Sequence, residues 1–184
     1  MTRMRRNLPA AFLAISALAS LDTRAQDSRE DSRRAAQEND IREVVLRYQM
    51  LSWSSDGDRI ENNAANDGDK AIARRLNSRV YFLSLQGKDP TDEFLKRFQD
   101  IPRTIKKASE GKQTKRFPGW VVDKKTKQPG IVFSANEIRW TKDDEVEVEG
   151  GYHCGGLCAA GDVFTIAFSD GKWKVLSVRM KWIS

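Results

Sequence analysis

The most reactive side chains of this 184-residue chain cluster in one short stretch: His153, its sole histidine, and Cys154 and Cys158, its sole cysteines. Three chemistries are open to them. A metal site would use two thiolates and the imidazole, but a closed zinc site takes four ligands and the neighbouring sequence offers no obvious fourth. A dithiol redox site needs one exposed, activated thiol, and the spacer Gly155-Gly156-Leu157 is one residue longer than that of the Cys-x-x-Cys oxidoreductases. A structural disulfide needs only an oxidising compartment. We read Cys154 and Cys158 as that disulfide, a small ring worth about 2 kcal/mol in loop entropy, whose role is to pin a turn.

His153 would suit general-base chemistry, because an imidazole titrates near neutrality. No Ser, Cys or carboxylate stands around it in a nucleophile pattern. If Tyr152 faces a core with Val146 and Val148, strand alternation sends His153 to the opposite face. No catalytic, cofactor-binding or metal-binding residue is therefore assigned. The carboxylates Asp143, Asp144, Glu145, Glu147 and Glu149 invite an acid–base or calcium reading, but calcium needs converging oxygens and this run lies mostly along a strand. A solvated strand face is the expectation.

Residues 103 to 128 hold nine Lys or Arg against Glu110 and Asp123, interrupted by Phe117, Trp120, Val121 and Val122. Basic residues interleaved with aromatics suit an anionic partner such as phospholipid head groups, a cell-wall polymer or nucleic acid. The plainer expectation for Arg103 to Lys127 is a solvated loop with its aromatics tucked into the domain edge.

The chain's beginning bears on that choice. Met-Thr-Arg-Met-Arg-Arg-Asn is a cationic start, Leu8 to Leu21 is apolar apart from Ser16 and Ser20, and Thr23-Arg24-Ala25 supplies a small-residue cleavage site, with a second at Ala17-Leu18-Ala19. The apolar run is shorter than the roughly 20 residues a membrane-spanning helix requires. Residues 1–25 therefore read as a signal peptide, cut after Ala25, and the protein as periplasmic or secreted. Arg5-Arg6 lacks the rest of a twin-arginine consensus, so the ordinary secretory route is expected. Removal of the leader lowers the formal net charge from +6 to +3, so much of the basicity is targeting. That modest charge and the extracytoplasmic address argue against nucleic acid. The mature chain fits one domain. Residues 26–39 are too polar to fold alone and read as a tether or a frayed helix start.

Behind the tether, Ile41, Val44, Val45, Tyr48 and Leu51 recur at helical spacing, with Asn39 or Asp40 as N-cap. Ser54 to Asp69 reads as a long polar loop and Ala71 to Leu76 as a short helix. Val80 to Leu85 is a compact apolar run typical of a buried strand, and Asp89-Pro90 opens a helix whose inner stripe is Phe94, Leu95 and Phe98. Gln128-Pro129-Gly130 marks a turn. Four antiparallel strands follow, with a bulge expected near Asn136 or Glu137 and a tight hairpin at Asp170-Gly171. Val146 with Val148, then Phe164, Ile166 and Phe168, mark dry faces. The last strand carries Leu176, Val178, Met180 and Trp182 on one side, with Trp173 and Val175 on the other. The helix from Asp40 is the expected cover for the sheet.

This order of elements, with the tail Gly151-Tyr152-His153-Cys154-Gly155-Gly156-Leu157-Cys158 running on to Asp170-Gly171-Lys172-Trp173-Lys174-Val175, resembles the NTF2-like, or cystatin-like, cone superfamily and its small uncharacterised secreted bacterial proteins. The resemblance implies an α+β domain over residues 40–184, with an N-terminal helix packed on a curved antiparallel sheet around a pocket. It carries no site residue with it, because this fold serves enzymes, carriers and assembly modules alike. The expectation is a non-enzymatic domain that binds a small apolar ligand or a cell-envelope component. The alternative is an acid–base enzyme of isomerase or dehydratase type in the cone pocket.

Overall fold

The structure is a computed structural model that describes residues 34–53, 66–68, 70, 79–115 and 119–184. The expected signal peptide, most of the tether and of the loop from Ser54 to Asp69, the short helix at Ala71 to Leu76, and Phe117 lie outside the described residues. Two compact units divide the chain, Met1–Glu38 and Asn39–Ser184. Of the first, residues 34–38 are described and are helical. The sheet, the core and the cavities belong to the second.

Helix α1 comprises residues 34–53, so neither Asn39 nor Asp40 caps it. Asp40 instead accepts from Arg97 at 2.8 Å. The apolar stripe is also rotated from the expected one. Ile41, Val45, Leu46 and Met50 are fully buried, whereas Tyr48 and Leu51 are exposed. Gln49 belongs to the buried stripe, its burial made tolerable by the side-chain amide that donates to the Ser134 carbonyl at 3.0 Å.

Strand β1 (Val80–Leu85) is buried on both faces, as its unbroken apolar sequence requires. It is joined through helix α2 (Asp92–Lys96) to β2 (Ile105–Lys107), which lies parallel to it. Helix α2 begins after Thr91, whose hydroxyl accepts the Phe94 N–H, and not at Asp89-Pro90 as expected. Asp89 is occupied elsewhere, accepting the Ser109 N–H at 2.8 Å. Phe94 and Phe98 are buried and Leu95 packs against the core, as their spacing predicts.

The basic stretch is not a loop. A 3-10 turn (Ala108–Glu110) leads into a two-stranded ribbon of β3 (Gly111–Gln113) and β4 (Val121–Asp123). Val121 packs with Val80 and Phe82 in a small second core on the sheet face opposite α1. Gly130 at the start of β5 is needed there, since a Cβ would fall 2.4 Å from the Phe82 ring.

The chain then forms β5 (Gly130–Lys142), β6 (Glu145–Gly155), β7 (Cys158–Ser169) and β8 (Lys172–Ile183). These pair antiparallel in sequence, and the six-stranded sheet has the order β2-β1-β5-β6-β7-β8. The architecture is α+β, a helix packed on an open, mostly antiparallel sheet. It departs from the expected purely antiparallel meander because β1 lies parallel to β5. The expected bulge appears as a register shift between Ala135 and Ile138. Asp170 and Gly171 both take positive φ, 53° and 75°, as a type I′ hairpin requires. Phe133, Ala135, Val146, Val148, Phe164 and Ile166 meet the buried face of α1, each large side chain contributing roughly 1.5–3 kcal/mol by leaving water.

Strand β8 does not alternate as expected. Two register shifts against β7 break its phase, so Trp173 is buried while Leu176, Val178, Met180 and Trp182 stand in solvent at the sheet's edge.

Candidate functional site

Two concavities flank the sheet, one beside α1 and one on the opposite face. The first, about 390 Å³, lies between the C-terminal part of α1 and the turn after α2, lined by Arg47, Met50, Leu51, Tyr81, Asp100, Ile101, Pro102 and Arg103. The charges of Arg47 and Asp100 in its wall are already matched. Arg47 grips both oxygens of Asp100, each contact 2.9 Å, and its Nε donates to Glu43 at 2.8 Å. Arg97 in turn donates to Asp40 and Glu43, so a ladder of five charged side chains clamps α1 to the α2 region. The Arg47 hydrogen bond holds the Asp100 carboxyl below its usual range and raises the arginine in return. Asp100 is thus a committed anion, unsuited to passing protons.

The second, about 240 Å³, is a cleft on the sheet face opposite α1, lined by Val132, Ser134, Glu149, His153, Lys181 and Trp182 among others. Tyr152 stands opposite Ala160 and Gly150 opposite Asp162, which makes Tyr152 and Asp162 diagonal neighbours on the face that carries α1. The Tyr152 ring meets Trp53 of α1 edge to face, with centroids 4.8 Å apart. Gly150 allows close packing beside it, since a Cβ there would fall 2.6 Å from the Ser134 carbonyl and 3.3 Å from the Gln49 amide. Burial raises the Asp162 carboxyl, and among the described residues no cation lies within ion-pair distance of it. Burial first, and then the Asp162 charge, raises the Tyr152 phenol. Next to them the Gln49 side-chain oxygen is buried with no hydrogen-bond partner.

The residues singled out by sequence are dispersed. Cys154 and Cys158 lie at disulfide distance, with Cα atoms 5.2 Å apart, across the β6–β7 turn. His153 pairs with Val132 and faces away from α1, on the face where the 240 Å³ cleft opens. Glu145, Glu147 and Glu149 are taken by Lys142, Arg139 and Lys181. They line a wet face and do not converge. Within the basic stretch, Lys106 binds Asp123 and Lys107 binds Asp92. Trp120 is not tucked away but 43 % exposed. Among the described residues no group of three His, Cys, Asp or Glu is placed to hold a metal ion, and no helix is long and apolar enough to cross a membrane.

Comparison with known proteins finds no matching family model, and no match among the curated proteins or the solved structures.

Sequence reasoning passed over Tyr152, Asp162 and the Arg47–Asp100 pair. For Asp162 a signal existed: a carboxylate between Gly161 and Val163, inside an otherwise apolar strand, marks a place where a side chain faces a gap.

Proposed function

We propose that the protein is a periplasmic or secreted NTF2-like domain that holds a small, largely apolar molecule in the 390 Å³ cavity at the C-terminal end of α1. The observation that carries this reading is the combination of size and lining. The volume falls within the roughly 300–1,000 Å³ of small-molecule sites. Met50, Leu51, Ile101 and Pro102 offer hydrocarbon, Arg47 and Asp100 neutralise one another at the wall, and Arg103 adds a cation to the lining. The order of elements, a helix followed by a strand and a bulged antiparallel run, supports the cone assignment, and the leader supports the address.

The test is a titration with an environment-sensitive apolar fluorophore, anilinonaphthalene sulfonate, on wild type and Leu51→Trp. Leu51 is exposed and lines the cavity, so the larger ring narrows the opening without disturbing the core. Saturable binding by the wild type, weakened about tenfold in the variant, is expected. Equal binding by both proteins, or none by either, removes the reading.

One observation favours a second reading, an acid–base enzyme of isomerase or dehydratase type. The raised Asp162 carboxyl stands diagonal to Tyr152 on the sheet face that carries α1, an arrangement suited to proton transfer. This reading requires that Asp162→Asn abolish turnover of any substrate found while leaving its binding intact.

A further inference from the structure

The disulfide turn and the basic stretch, far apart in sequence, meet at one end of the molecule. The Gly156 N–H donates to the Gly119 carbonyl at 3.0 Å, and Trp120 forms an isolated antiparallel bridge with Gly155. Contact is backbone to backbone: a Cβ on Gly155 would fall 2.7 Å from the Gly119 carbonyl and 3.0 Å from the Trp120 ring. Gly119 itself has φ +67°, which a side chain would strain.

Two large apolar side chains stand in solvent on the segments joined here, Trp120 at 43 % exposure and Leu157 at 64 %. Lysines flank them. Lys112 pairs with Val122 and so shares the ribbon face of Trp120. Lys115 follows Thr114, which is locked to Trp120 by two hydrogen bonds of 2.9 Å, one in each direction. The acids of the stretch point elsewhere, since Asp123 is buried against Lys106 and Glu110 accepts the Lys107 N–H. Among the described residues neither Lys112 nor Lys115 has a carboxylate within ion-pair distance.

We propose that this end docks on the surface of an anionic phospholipid bilayer. Leu157 enters the acyl boundary, the Trp120 ring seats at head-group level, and Lys112 and Lys115 face the lipid phosphates. Leu157 decides for a bilayer over a soluble polyanion. A polyanion would use the lysines alone and leave Leu157 in water, whereas hydrocarbon gives it a partner. The site is separate from the cavity beside α1 and does not depend on what that cavity holds.

The experiment is cosedimentation of the purified protein with vesicles of mixed phosphatidylglycerol and phosphatidylcholine, with pure phosphatidylcholine vesicles and free polyphosphate as comparisons. Wild type should partition onto the anionic vesicles at least about tenfold better than onto the neutral ones, and less so as salt rises. Leu157→Ser should lower that partition about tenfold and leave any polyphosphate binding unchanged. Lys112→Ser with Lys115→Ser should lower both and flatten the salt dependence. Leu157 is exposed on a turn, so its variant folds, and an unchanged far-ultraviolet circular dichroism spectrum verifies this. Absence of wild-type partition onto anionic vesicles overturns the proposal. So does a Leu157→Ser protein that sediments like the wild type, which would mark the lysines as a site for soluble polyanions.

Discussion

The Asp123 carboxylate, 1 % exposed, accepts the Lys106 ammonium at 2.6 Å and, through its other oxygen, the backbone N–H groups of Lys125 and Thr126 at 2.8 and 2.6 Å. One side chain thereby ties β2 of the main sheet to β4 of the ribbon and closes the turn after β4, where Lys127 takes a positive φ of 66°. The ammonium contact, with the Thr126 N–H next, holds the carboxyl far below its usual range.

A carboxylate depressed in the folded state stabilises above its unfolded pKa of about 3.9, and that contribution drains away as pH falls from there toward the folded value. Thermal melts of the wild type should therefore lose a contribution below about pH 4 that Asp123→Asn never has. At neutral pH the variant should melt several degrees lower, well below Lys142→Met, which breaks only the exposed pair with Glu145. Equal midpoints for the two variants would refute a structural role for Asp123.

Asp162 has the opposite sign. Burial raises its carboxyl, so its cost is absent at low pH and appears as pH climbs through the unfolded value toward the folded one. Asp162→Asn should melt about 2 °C higher than wild type at pH 7 and level with it in acid. A variant less stable at neutral pH would show that the carboxylate is satisfied in the native protein.

Linkage of Cys154 and Cys158 is measurable directly. Denatured, unreduced protein from an oxidising compartment should show no titratable thiol, and two thiols would disprove the bridge. Replacing both cysteines by serine should cost about 2 kcal/mol, read from the urea midpoint.

The exposure of β8 separates two kinds of apolar residue. Phe133→Ala, in the core beneath α1, should cost roughly 3–5 kcal/mol, while Leu176→Ala should stay within about 0.5 kcal/mol. A large loss at Leu176 would mean that the last strand is covered in solution.

Much of the α+β plan is local and can be read residue by residue. The two-residue alternation of Ile131, Phe133 and Ala135 and of Val146 and Val148, the bulge that interrupts the first, and the Asp170-Gly171 turn all depend on neighbours a few positions away. Strands β2, β3 and β4 escape such a reading because three residues hold no measurable period. Their lysines then read as a loop.

The chain alone determined which segments alternate, where they turn, and that its two cysteines stand close enough to meet. Only the tertiary structure decided that β1 joins the sheet parallel to β5, that Gln49 turns inward while Tyr48 and Leu51 face out, and that β8 ends as a bare edge. It alone brought Arg47 to Asp100, Tyr152 to Asp162, and Trp120 to the turn that bears Leu157. The reason is range. Alternation and turn geometry arise from steric preferences within a few residues, whereas each of these pairings depends on which strands share hydrogen bonds, a choice settled by the packing of the whole core.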